Sequence, residues 1–172
     1  MTTLSSVPTS PALPPLLRVA AAIAPVAATA IIGSLATTPN IEGWYAGLTK
    51  PSFNPPNWLF PVAWAILDTM IALSAWRLLG AKPRTGPTVR AWWLAVAAFA
   101  AQLALNAAWT PVFFSAHAVG TGLVVVAALL VMILWTIRLS WRFDRLAAWL
   151  LVPYAAWVSF ATLLNAAIWI LN

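Results

Sequence analysis

The sequence predicts an all-α membrane protein, a five-transmembrane-helix bundle, on three observations. The 172 residues are 63% hydrophobic and only 7% charged. The apolar residues gather into five runs, at 19–37, 58–79, 89–113, 117–139 and 146–170. Each run is close to or above the roughly 20 residues that a helix needs to cross a hydrocarbon core. Backbone amides find no water there, so helix is the expected state even where β-branched residues abound. Five spans leave little chain for a soluble domain, so 18–172 reads as one membrane domain.

Each element can be justified in order. Residues 1–17, with Pro8, Pro11, Pro14 and Pro15 among Ser and Thr, are too polar for a secretory apolar core and read as a disordered cytoplasmic tail. The first span is Ala-rich, with Ala20, Ala24, Ala28 and Gly33 allowing close helix approach, and Pro25 predicts a kink. The connection 38–57 holds Pro39, Pro51, Pro55 and Pro56 beside Trp44, Tyr45 and Phe53. Prolines pre-set φ and the aromatic rings supply packing, so this segment is expected to be an ordered cap over one mouth of the bundle. The second span begins near Trp58 and tolerates Pro61 in its first turn. Pro111 bends or ends the third span, and the short 114–119 connection makes spans three and four an antiparallel hairpin. Pro153 predicts a second kink, in the fifth span.

Charge gives an orientation. By alternation of the spans, one side carries Arg18, Arg77, Lys82, Arg84, Arg90, Arg138, Arg142 and Arg145, and the other only Lys50, balanced by Glu42. The positive-inside rule then puts the N-terminus in the cytoplasm, with the C-terminus and the 38–57 loop outside. The net charge of +6 is thus an orientation signal that can also touch anionic lipid, with no accompanying nucleic-acid motif. Without cysteine there is no disulfide or thiolate metal site. Lys50 and Lys82 lie in loops, so no Schiff base forms inside the bundle, and no Ser/His/Asp set or Gly-rich phosphate loop is present. His117 reads as an interfacial polar group, since metal catalysis would need partners that are absent.

Twelve tryptophans are more than interfacial anchoring requires, and Trp64, Trp109 and Trp157 lie well inside their runs. Buried indoles are flat walls with one N–H donor each, which suits a flat aromatic ligand. On the third span Gln102, Asn106 and Trp109 fall within a ~60° arc, and on the fifth Tyr154, Trp157, Ala161 and Asn165 fall within one of ~80°. Trp64 and Asp68 stand one turn apart on the second. Such stripes face the bundle interior or a cavity. Interhelical glue is the alternative for Gln102 alone, but indoles beside the small Ala161 favour a cavity. Asp68, near mid-span, is expected as a neutral carboxylic acid that tunes the cavity floor within reach of Asn106. Ala97, Ala100, Ala101, Ala104 and Ala108 form a small-residue ladder on the opposite face of the third span, suited to packing within the chain or to a homodimer.

Three stretches carry a family resemblance. Residues 44–58, from Trp44-Tyr45 through Lys50-Pro51 and Pro55-Pro56 to Trp58, resemble the WYxxLxKPxWxPPxW signature of the translocator protein family (TspO/MBR, the tryptophan-rich sensory proteins). The runs 102–114 and 153–165 resemble that family too, in the same order along the chain. The resemblance implies a five-helix bundle, commonly dimeric, that binds porphyrins and other flat hydrophobic ligands below the first outer loop. Family pocket positions match Tyr45, Trp64, Asn106, Trp109, Trp157 and Ala161. It also implies porphyrin as ligand rather than an obligatory cofactor, and a role in tetrapyrrole regulation or stress response. Porphyrin transport is one alternative. Another is light- and oxygen-dependent porphyrin breakdown, with Trp64 and Trp157 as the redox-active groups. Phe53 replaces a signature Trp, and Asp68 stands where relatives carry Tyr or Phe. The C-terminus lacks the Tyr and basic residue of the animal sterol pattern, so no dedicated sterol site is expected.

Overall fold

The computed structural model describes residues 14–83 and 87–172. Most of the expected tail, and Arg84 of the basic set, lie outside the described residues. The helices are α1 (Pro15–Thr37), α2 (Leu59–Gly80), α3 (Pro87–Thr110), α4 (Val119–Ser140), α5 (Arg145–Leu150) and α6 (Val152–Leu171). With α5 and α6 in series, five segments are long and apolar enough to span a membrane. The chain is an integral, multi-pass membrane protein of all-α class.

Prolines account for much of the detail. Pro15 opens α1 four residues before the apolar run, at a position whose N–H has no partner anyway. Pro25 sits inside α1 without ending it. At Pro111 the α-helix stops and the chain passes into a π turn, Pro111–Ser115, where the Ala116 N–H reaches the Pro111 carbonyl at 2.9 Å. His117 then takes φ 53°, a left-handed conformation that turns the chain into α4. Near Pro153 the fifth span breaks at Leu151, which separates α5 from α6. Several hydroxyls inside the spans return to their own helices, as Thr69 does to Ala65 O and Ser159 to Ala155 O, both at 2.8 Å.

The helices pack in the ring order α2, α1, α3, α4, α6, with α5 closing the ring onto α2. One end of the bundle is basic. There Arg77 pairs with Asp144 at 2.9 Å, and Asp144 also caps α5 by accepting from the Ala147 N–H. Arg18 lies over the Trp76 ring at 3.9 Å and donates to the Trp76 carbonyl. The Trp92 indole, 1% exposed, donates to Leu78 O. From this end the main core runs inward through Ile71, Phe99, Leu129, Ile133 and Leu151. A second, smaller cluster of Tyr45, Phe113, Leu164 and Ile168 lies at the opposite end, beneath residues 38–57. Aliphatic side chains such as Leu35, Val131 and Ile170 project outward, as a lipid-facing surface requires.

Candidate functional site

A cavity of about 350 Å³ lies between the two clusters. Its walls come from α1, α2, α3, α6 and the cap. Tyr45, Trp64, Asp68, Asn106, Trp109, Ala161 and Asn165 all line it. Trp109 donates to Asn165 Oδ1 at 3.3 Å, and Asn165 in turn donates to the Val119 carbonyl at 2.9 Å. The second bond anchors α6 to the start of α4 and so fixes the indole that the first one holds. Gly122 permits this approach, since a Cβ there would stand 3.2 Å from both Asn165 Oδ1 and Phe113 Cδ2.

Three residues that share helical faces with this set are not in the lining. Gln102 is fully buried, and its amide has no partner among the described residues. The Tyr154 hydroxyl is buried in the same way, while its ring meets Trp64 edge-on at 6.1 Å. Trp157 packs between Phe60, at 5.9 Å, and Phe160, at 5.7 Å. Of the two indoles considered for light-driven chemistry, Trp64 therefore faces the cavity and Trp157 supports the wall. Asp68 and Asn106 share the lining without a hydrogen bond between them.

The cap is ordered by specific contacts. Trp44 stacks on His117 at 4.3 Å and meets Phe113 edge-on, and His117 Nε2 bonds Asn40 at 3.0 Å. Tyr45 donates to Asn54 Oδ1 at 2.9 Å, with Lys50 4.8 Å from the Tyr45 ring centre. Thr49 and Asn172 exchange two 3.0 Å bonds, which tie the segment to the end of α6. Phe53 reaches Phe160. Pro51 and Pro55 are half-buried and Pro56 exposed, and Tyr45, Asn57 and Phe60 complete the cap side of the cavity.

The sequence reading overlooked α1. Thr29, Gly33 and Thr37 line the cavity along one helical stripe at i, i+4 and i+8, with Ala30 and Ser34 beside them. That spacing of small and hydroxyl residues marks one helix face but does not tell a cavity wall from close helix packing. Thr110, Phe113 and Phe114, around the π turn, also line the cavity.

Comparisons with known proteins fit this architecture. The TspO/MBR family profile matches residues 21–170. Protein CrtK of Rhodobacter capsulatus is 41% identical over 129 residues, covering 75% of this chain and 78% of that protein. The tryptophan-rich protein TspO of Archaeoglobus fulgidus is 36% identical, covering 91% of this chain and 98% of that protein. The human translocator protein is 37% identical, covering 73% of each. A match over nearly the whole bundle, on relatives this similar, means that the chain belongs to the TspO/MBR family, a membership that supports a role as membrane sensor or translocator.

Proposed function

We propose that the protein is a membrane receptor for porphyrin-like tetrapyrroles and other flat hydrophobic molecules, acting in tetrapyrrole regulation or stress response. The supporting observation is the composition of the cavity wall: the indoles of Trp64 and Trp109 beside the polar edges of Asn106 and Asp68. Aromatic faces attract a flat π-system, while a few fixed polar groups set its orientation. Its volume of about 350 Å³ falls in the usual range for small-molecule sites. Burying an apolar face at about 25 cal/mol per Å² offsets the ordering costs of binding and supports micromolar affinity. Asp68 acts here as a neutral acid on the cavity floor, able to donate one hydrogen bond to a ligand carboxylate or carbonyl.

Tryptophan-fluorescence quenching tests the stacking mechanism, with metal-free protoporphyrin compared against haem. Saturable quenching by the metal-free ring is expected. Binding of haem alone would mean that metal ligation, not stacking, holds the ring.

Two features of assembly belong to the same reading. The basic end faces the cytoplasm, as the positive-inside rule requires, and the cap faces outward. Ala97, Ala100, Ala104 and Ala108 are exposed in the single chain, and that face pairs with a second copy by close helix packing. Ala104→Phe should then lower the dimer fraction in cross-linking of the protein in bilayers. An unchanged fraction would move the interface elsewhere.

A further inference from the structure

A ligand dissolved in the bilayer needs a way into the cavity, and two of the routes are obstructed. The cap, fastened by the Tyr45–Asn54 and Thr49–Asn172 bonds, lies over the mouth. The seam between α2 and α6 is filled by rings: Trp64 against Tyr154, and Phe60 against Trp157.

The seam between α1 and α2 is built differently. An apolar groove of about 600 Å³ runs along its lipid side, walled by Val19, Ile23 and Ala27 on α1 and by Thr69, Leu73 and Trp76 on α2. Ala30 and Asp68 belong both to this groove and to the lining of the central cavity. At that point one methyl group and one carboxyl group border both spaces. Asp68 is half-exposed and takes no hydrogen bond or ion pair from another described residue. A carboxyl at that depth without a partner is costly to keep, and a ligand group that bonds it relieves the cost.

We propose that the α1–α2 groove is where a membrane-dissolved ligand first docks and from which it enters the cavity, with Asp68 receiving its polar edge at the sill. The occupant is the cavity's own ligand: a flat apolar molecule bearing hydrogen-bonding groups, reaching the protein from the hydrocarbon. Apolar contact alone would not draw it in, because lipid tails are as apolar as Ile23 or Leu73. A hydrogen bond to Asp68 supplies what lipid cannot. Because Asp68 borders both spaces, the ligand can keep that bond while its ring moves inward. The proposal rests on the cavity being the ligand site.

The test is stopped-flow quenching by metal-free protoporphyrin, with the whole chain in lipid nanodiscs. Ala27 and Ile23 wall the groove but not the cavity. Ala27→Phe narrows the passage and should slow association and dissociation together, by about tenfold if the barrier rises by about 1.4 kcal/mol. Ile23→Ala widens it and should speed both rates, an effect that misfolding would not produce. Saturable quenching whose rates neither substitution moves overturns the entrance and leaves the cavity reading intact. Absence of saturable quenching in the unmodified chain removes the cavity reading, and the entrance with it.

Discussion

The two ends of the bundle differ in what their polar groups face. At the basic end four polar side chains are tied to other parts of the chain: Arg77 to Asp144, Arg18 to the Trp76 carbonyl, Trp92 to Leu78 O, and Ser74, which donates to Ala147 O at 2.7 Å. Beneath the cap, Asp68 and Asn106 face a cavity without such bonds. A polar group left unpaired in the membrane is expensive, and Asp68 and Asn106 stand where a ligand can satisfy them, whereas Gln102, Ser140 and the Tyr154 hydroxyl, in the closed core, have no partner among the described residues. The basic end is scaffold and the cap end is site. Trp92 is buried within the core, while Trp64 and Trp109 pack against that core and also line the cavity.

Substitutions should separate the two roles. The largest effect is expected from Trp92→Ala, which empties a fully buried site at the basic end and removes the indole's bond to Leu78 O. It should lower stability by about 3–5 kcal/mol, read by denaturant titration in mixed micelles. A loss below about 1 kcal/mol would show that this end is not the scaffold. Trp64→Ala should do the reverse. Porphyrin affinity should fall by more than about 1 kcal/mol, because a stacking wall and an N–H donor disappear together. Unchanged affinity in the folded variant would place the pocket elsewhere.

A smaller effect is expected from pH. Burial pushes the Asp144 carboxyl up, but its bonds to Arg77 and to the Ala147 N–H outweigh this and hold it below the usual carboxylate range. The folded chain therefore favours the charged form. Its contribution is present in full above the ordinary carboxylate range, and it fades as pH falls through the lowered value. Because about a third of the Arg77 side chain is exposed, the contribution should be no more than about 1 kcal/mol. Comparing acid unfolding of the unmodified chain with Asp144→Asn checks the sign. A variant that loses stability in acid just as the parent does would show that Asp144 is not the group responsible. The smallest change should come from Pro51→Gly with Pro55→Gly, which restores backbone freedom to the cap, opens the obstructed mouth as a second way out beside the α1–α2 groove, and should speed porphyrin release a few-fold. An off-rate equal to that of the unmodified chain would show that the prolines are not what keeps that mouth shut.

How much of this was legible in the sequence depends on whether helical angle or helical depth decided the outcome. Length and hydropathy located all five spans, because backbone amides in hydrocarbon have no alternative to helix. Pro111 announced the end of α3 and Pro153 the break before α6. Helical angle placed Asn106, Trp109, Ala161 and Asn165 on inward faces, and the structure lines the cavity with them. Angle carries no information about depth. Gln102 and Tyr154 lie on the same faces nearer the basic end, where the core is closed, and so they are buried instead of lining. Trp157 stands at the edge of its arc, which turns its ring toward Phe60. The α1 stripe was hidden for a different reason. Thr29, Gly33 and Thr37 look like spacers until a facing wall gives them a cavity to line, and that wall comes from residues 60–68 and 106–114.

The central claim is that the flat ligand occupies the cavity beneath the cap. It is tested most directly by an equilibrium titration of metal-free protoporphyrin into the unmodified chain and into Ala161→Phe, each in nanodiscs and read by tryptophan quenching. Ala161 lines the cavity on α6, so a phenyl ring there fills space that the ligand needs, far from the Arg77–Asp144 pair and the Trp92 bond of the basic end. The account predicts saturable binding to the unmodified chain and a loss of at least about tenfold in affinity for the variant, or about 1.4 kcal/mol. Equal affinity for the two chains, with the variant folded, would contradict it.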